Sequence, residues 1–322
     1  MATDTTPKTL REAILFFAVY ENCRKAVEAI RWPDGVVRCP TCESEHVTYL
    51  ATQRRYKCYG KHSKAQFSLK VGTIFEDSAV GLEKWLPALW LLTNCKNGIS
   101  SYELARALGV TQKTAWFMLA RLRLALHDGV PADKLRGQIE CDETYIGGKA
   151  RFMHKGKRER VRRGRSTMGK VAVMGLLERN AGDGYSRVRV EVLPNVRQAA
   201  VQSRVRVHVE RDSMLHTDAF SSYDGLHGEY IHKVIDHAER YVDGEVHTNS
   251  MENFWSLLKR AIKGTYVSIE PFHLFRYLDE QAFRFNNRKM TDSLRFALAL
   301  KGIIDKRLTY TALTGSELPQ TC

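Results

Sequence analysis

Three separated segments carry acids in settings that could hold a divalent metal: IECDETYIGG at 139–148, LHTDAFSSY at 215–223 and VHTNSMENFWSLLKR at 246–260. The acids are Asp142, Asp218 and Glu252. The first two read as the ends of strands and the third as the start of a helix. Hard cations such as Mg2+ or Mn2+ take oxygen ligands. Carboxylates that converge from distant segments to share two such ions are what metal-assisted phosphoryl transfer needs.

Each acid has a competing structural role. Asp142 could be a strand-end turn residue. Glu143 is the alternative acid beside it, and Glu140 shares its strand face. Neighbours on a strand face opposite ways, so Cys141 can be buried while Asp142 faces a site. Asp218 could cap a following helix. Asn249 could be an N-cap with Glu252 as its capping-box partner. Lys259 stands two turns beyond Glu252 on one helix face, where it could hold a phosphate or simply meet solvent. Tyr145 and Tyr223 read as packing residues, so no serine or tyrosine stands out as a nucleophile.

A second chemistry lies upstream. Cys39 and Cys42 form a C-x2-C knuckle, and Cys58 with His62 forms C-x3-H after a short alternating stretch. Zinc takes four such ligands in a tetrahedron, and a β unit this small needs a metal to fold. His46 is a competing ligand. The cysteine pattern points to metal rather than disulfides.

Elements must position these groups. Residues 1–35 hold N-terminal helices, with Leu10, Ile14, Phe17, Val27 and Ile30 at helical spacing. Residues 36–78 form the zinc ribbon. Residues 80–130 are helical, and the text GISSYELARALGVTQKTAWFMLARLRLAL reads as helix–turn–helix. Ser100 or Ser101 caps one helix with Glu103 in capping position, Gly109 makes the turn, and Thr111 caps the next helix. The first-turn residues Gln112, Lys113 and Thr114 would then meet base edges or phosphates in the major groove. Pro87 lies inside the preceding apolar helix and could kink it. Residues 136–310 read as α/β: GQIECDETYIGG, KVAVMGLLERN, YSRVRVEVLP and SMLHTDAF are strands, 195–211 is a variable stretch, and helices follow. That is a mixed sheet flanked by helices, the layout of an RNase H-like core. Residues 311–322 form a tail.

Between the first two strands, 149–170 is a basic hairpin with Lys155, Lys157, Arg158, Arg162, Arg163 and Arg165. It reads as a DNA clamp rather than core, since cationic side chains on phosphates release counterions. The 322 residues carry a formal net charge of +14, with a pI near 9.5. Nucleic acid is the expected partner. No apolar run reads as a membrane span and no signal-peptide pattern is visible, so a cytoplasmic, nucleoid-associated location is expected.

In this order, CPTC, QFSLKVGTIFEDS, KNGISSYELARALGVTQKTAWFMLARLR, DETYIGG, HTDAFSSY, VHTNSMENFWSLLKRAIKGTY and RYLDEQAFRFNNR resemble the zinc-ribbon DDE transposases of bacterial insertion sequences, the ISXO-type group. The resemblance covers roughly residues 10–300. It implies an RNase H-like core in which Asp142, Asp218 and Glu252 hold two Mg2+ or Mn2+ ions, with Lys259 as the accompanying basic residue. Members vary at the third acid and some use an Asn, so Asn249 is a second candidate. It further implies strand cleavage and strand transfer at element ends, with the terminal inverted repeats and target DNA as partners and a homo-oligomer assembled on them. A non-catalytic DNA-binding regulator, or a nuclease that cuts without joining, are the alternatives.

Overall fold

A computed structural model describes residues 7–127, 133–147, 170–181, 184–218, 220–235 and 248–315. Lys155, Lys157, Arg158, Arg162, Arg163 and Arg165 of the basic hairpin lie outside the described residues. The chain divides into two compact units, Met1–Gly129 with Lys289–Cys322, and Val130–Arg288.

The first unit opens with helices α1 (Leu10–Phe17) and α2 (Tyr20–Arg31). Their buried face is Ala13, Phe17, Cys23 and Val27, whereas Leu10 and Ile14 are exposed. The helical period is therefore as expected, but only part of the apolar stripe is covered. Strands β1 (Val47–Leu50), β2 (Arg55–Cys58) and β3 (Gln66–Phe67) form a small antiparallel sheet. Helix α3 (Leu82–Asn94) continues through Pro87 and is buried nearly all round, including Trp85, Leu89 and Trp90. A helix apolar on every side has to lie inside its unit.

Helices α4 (Ser101–Leu108) and α5 (Gln112–Leu126) follow. Ser100, not Ser101, is the cap. Its hydroxyl accepts from Glu103 N at 3.2 Å, and the Glu103 carboxylate accepts from Ser100 N at 2.9 Å. Gly109 ends α4 with φ +60°, a conformation that costs glycine no Cβ clash. Thr111 caps α5 by accepting from Thr114 N at 3.1 Å.

The second unit is built on a five-stranded sheet. In chain order its strands are β4 (Gln138–Gly147), β5 (Lys170–Glu178), β6 (Arg187–Leu193), β7 (Met214–Asp218) and β8 (Ile231–Ile235). Their order across the sheet is β6-β5-β4-β7-β8. β4, β5 and β6 pair antiparallel, while β7 and β8 run parallel to β4. Helix α6 (Gln198–His208) fills the stretch 195–211 that showed no clear period. It covers one face, where Val201 and Val205 pack with Ile139, Cys141, Met174 and Leu215. Helices α7 (Asn249–Ala261) and α8 (Leu274–Asn286) cover the other, where Met251, Trp255, Leu258 and Leu278 pack with Val173 and Leu177. Each such buried aliphatic or aromatic side chain contributes roughly 1.5–3 kcal/mol over exposure. Odd and even positions of β5 divide cleanly between the two cores, as a strand covered on both faces requires.

Helix α9 (Asp292–Lys301) leaves this unit and packs with α3 in the first one; Trp90 and Phe296 stack there with centroids 5.3 Å apart. Residues beyond 288 thus group with the N-terminal unit, whereas the sequence pattern carried the α/β region on to 310. Helical periodicity cannot reveal which core a helix joins.

Candidate active site and zinc centre

Asp142 lies within β4 rather than at its end, because β5 pairs with β4 all the way to Gly147. On its other side β4 pairs with β7 only from Gln138 to Glu140. Continuing that parallel register by two positions lays Asp142 beside Asp218, the last residue of β7. Two carboxylates thus meet where the two strands part.

Alternation then sorts the acids of β4. Cys141 is fully buried on the α6 face. Glu143 turns the same way and accepts a short hydrogen bond from the hydroxyl of Tyr223, itself fully buried. Burial pushes the Glu143 carboxyl up to about 7, against the Tyr223 bond and with added repulsion from Asp142 and Asp218. Glu140 and Asp142 face α7. Glu140 is fully buried and both its oxygens are engaged, Oε1 by Arg179 Nε at 2.6 Å and Oε2 by Met251 N at 2.8 Å. It is a strut between β4 and the first turn of α7, with an acceptor where the helix has an unpaired N–H.

Asp142 Oδ1 accepts from Glu143 N at 2.8 Å, and Oδ2 accepts from the indole Nε1 of Trp255 at 2.9 Å. Burial lifts the Asp142 carboxyl to about 6; the Trp255 bond opposes this, while Asp218 and Glu252 add repulsion. Asp142 therefore feels both other acids. Asp218 caps no helix: the turn after it starts at Phe220 without a side-chain cap. Its Oδ1 is buried and has no hydrogen-bond partner among the described residues. A buried carboxylate oxygen without a partner, among mutually repelling acids, suits a cation, which would satisfy the lone pair and neutralise the repulsion.

The capping-box role for Asn249 and Glu252 is not what forms. Thr248 is the N-cap, without a side-chain bond, and Asn249 is already helical. Glu252 and Lys259 are exposed along α7. Asn249 instead lines a cavity of about 310 Å³ with Ser186, Ser250, Asn253, Phe285 and Arg288.

In the first unit, Cys39, Cys42, Cys58 and His62 converge with their ligand atoms all within 4.8 Å of one another. Cys39 Sγ lies 3.4 Å from His62 Nε2, and Cys42 Sγ lies 3.6 Å from Cys58 Sγ. None of these thiols is in a disulfide. Three sulfurs and an imidazole nitrogen at this spacing suit tetrahedral zinc. His46 is elsewhere, stacked on Tyr59 with centroids 4.7 Å apart. A Cβ on Gly60 would come 2.9 Å from Cys42 Sγ, so this glycine also belongs to the site, although the ligand spacing alone does not reveal it. Among the described residues no other His, Cys, Asp or Glu group is drawn this tight.

On α5, Gln112 Nε2 donates to Ser101 Oγ at 2.8 Å, which ties the turn together. Lys113 Nζ lies 5.9 Å from the centre of the Tyr310 ring.

A family model of the ISXO2-like transposase domain matches residues 134–286, and one of a transposase zinc-ribbon domain matches 21–60. An uncharacterized protein in transposable element ISH50 of Halobacterium salinarum is 33% identical over 247 residues, covering 72% of this chain and 79% of that one. The chain belongs to the ISXO2-like transposase family. An uncharacterized transposase-like protein of Haemophilus influenzae is 33% identical over 109 residues, 34% of this chain and 88% of that one. In this transposase the transposase-domain match contains Asp142, Asp218 and Glu252. The zinc-ribbon match contains Cys39, Cys42 and Cys58, with His62 just beyond it. Among the described residues no helix is long and apolar enough to cross a membrane.

Proposed function

We propose that the chain cleaves and joins DNA strands at the ends of an insertion sequence, with Asp142, Asp218 and Glu252 as the metal-binding triad. The observation that carries this reading is the meeting of Asp142 and Asp218 at the parting of two parallel strands, under a helix that brings Glu252. The strand order, three antiparallel strands followed by two parallel ones, supports an RNase H-like core.

Two Mg2+ or Mn2+ ions held by the triad would supply Lewis acidity to the attacking oxygen, first water and later a DNA 3′-hydroxyl, and to the departing 3′-oxygen. The chain's own residues set the stage. Trp255 fixes the rotation of the Asp142 carboxylate through its indole N–H. Glu140, fully buried and paired with Arg179, holds α7 against β4, whereas Asp142 is flanked by Asp218 and Glu252, whose repulsion a cation would relieve. Lys259, exposed two turns along α7 from Glu252, contacts a phosphate of the bound end. Tyr223 is sealed in the core against Glu143, which argues against a covalent tyrosyl intermediate. Glu252 is favoured over Asn249 as the third ligand, because Asp142 feels the Glu252 charge, whereas Asn249 lines a cavity with Ser186, Phe285 and Arg288.

The zinc ribbon and the α4–α5 pair, with Gln112, Lys113 and Thr114, would bind the terminal inverted repeats. Lys155, Lys157, Arg158, Arg162, Arg163 and Arg165 would hold flanking or target duplex. Two or more copies would pair the ends, in the cytoplasm on the nucleoid.

The test is strand joining. Protein is mixed with a pre-nicked duplex carrying the element end, plasmid target and Mg2+, beside Asp142→Ala, Asp218→Ala, Glu252→Ala and Asn249→Ala. Joined product that needs metal and disappears in the three acid variants is expected. Cleavage without joining would make the chain a nuclease, and end binding without either would make it a regulator.

A further inference from the structure

Directly opposite Asp142 in the antiparallel ladder stands Gly175. Opposed residues share a face, so the position without a side chain points at the same helix as Asp142. Its neighbours on that face of β5, Val173 and Leu177, are both fully buried beneath the helices. A lone glycine in such a row weakens the strand and marks a place where something else must come close.

What comes close is α7. A Cβ at position 175 would lie 2.2 Å from Met251 Cε, 2.8 Å from Met251 Sδ and 2.7 Å from Trp255 Cζ2. The methionine end can swing aside. The indole cannot, because its Nε1 is bonded to Asp142 Oδ2 at 2.9 Å and it is packed among Phe254, Leu258 and Val173. The gap at Trp255 is about 0.7 Å short of an ordinary 3.4 Å contact. Relief therefore requires α7 to move outward or the indole to turn off Asp142. An outward move carries Glu252, which follows Met251 in the same helical turn. Metal–ligand distances tolerate only about 0.2 Å.

We propose that Gly175 and Trp255 are positioning residues that set the separation and orientation of Asp142 relative to Glu252, and so the fit of the divalent cation between them. Gly175 admits the helix to the strand, and Trp255 uses that approach to orient the carboxylate. The inference rests on the reading of the triad as a metal site.

The test measures Mn2+ binding by electron paramagnetic resonance on the full, zinc-loaded chain. The variants are Gly175→Ala, Trp255→Phe, the double variant Gly175→Ala with Met251→Ala, and Asp142→Asn as control. Gly175→Ala and Trp255→Phe should each weaken Mn2+ binding about tenfold or more, the range found for residues that orient metal ligands. Zinc content and binding to the element end without divalent metal should stay unchanged. The double variant should recover part of the loss, and DNA cleavage by Trp255→Phe should return at high Mg2+. Parental Mn2+ affinity in folded Gly175→Ala and Trp255→Phe, with affinity lost in Asp142→Asn, would overturn the positioning role alone. Parental affinity in Asp142→Asn would instead sink the metal-site reading, and this inference with it. If Gly175→Ala does not fold, Trp255→Phe decides the matter, since it keeps an aromatic ring in the core while removing the N–H together with part of the indole.

Discussion

Replacing Glu140 and replacing Asp142 should change stability in opposite directions, although the two acids share one face of one strand. Glu140 is fully buried and pairs with Arg179, whose side chain is 10% exposed, at 2.6 Å. Truncation to Ala removes the buried carboxylate that neutralises that guanidinium, at a cost of roughly 3–5 kcal/mol. It also frees the Met251 N–H at the start of α7, for about 1 kcal/mol more. Asp142 is the reverse case. Its carboxyl sits at about 6 against an ordinary 3.8. A raised carboxyl pKa means that the folded state holds the proton more tightly than the unfolded one. Stability is therefore lost as pH rises from about 4 through 6, and the full penalty, on the order of 1–3 kcal/mol, is present at pH 7.5. Asp142→Asn removes the charge and most of that penalty. In thermal unfolding at pH 7.5 without Mg2+, with zinc retained, each kcal/mol moves the midpoint by roughly 2–4 °C for a unit of this size. Glu140→Ala should fall by about 8–24 °C, and Asp142→Asn should rise by a few degrees. With metal the contrast inverts: Mn2+ should still raise the midpoint of Glu140→Ala but do nothing for Asp142→Asn. A Glu140→Ala protein with parental stability and no Mn2+ response would show that Glu140 is a ligand, and the assignment of strut and ligand would be wrong.

Mn2+ affinity should drop as pH falls from 7.5 to 5, most steeply near 6, because the proton competes for Asp142; a flat titration curve would count against Asp142 as a ligand. Glu252→Ala should reduce strand joining by at least about a hundredfold, while Asn249→Ala should leave it within a few-fold, read from product on a gel; the opposite order would move the third ligand to Asn249. Cys58→Ala should abolish zinc binding at the ribbon, on the order of 10 kcal/mol of binding energy, and make residues 36–78 the first site of proteolysis; full zinc content by mass spectrometry would refute the ligand set.

Some of this architecture was legible from local spacing. Cys39 and Cys42 announce a zinc knuckle because their ligating atoms are neighbours in the chain. Ser100 with Glu103, Gly109 and Thr111 mark helix ends because capping is a contact within one turn. β5 showed as an apolar run because a strand covered on both faces needs one. Other elements gave weaker signals: α6 is short and β-branched, and the edge strand β8 lies among polar residues.

The division of labour among the acids depended on contacts across the fold. Glu140 and Asp142 have the same phase on β4, and Asn249 and Glu252 lie within one turn of α7, so periodicity treats each pair alike. What separates them arrives from elsewhere: Arg179 and Met251 N hold Glu140, Glu143 N and the Trp255 indole hold Asp142, and the register of β7 brings Asp218 alongside Asp142. Gly175 belongs to the same class. An isolated glycine within an apolar strand signals a close approach, but only the docking of α7 shows what approaches. A residue's type is written in the chain, whereas its role as ligand, strut or spacer depends on which distant atoms satisfy it first.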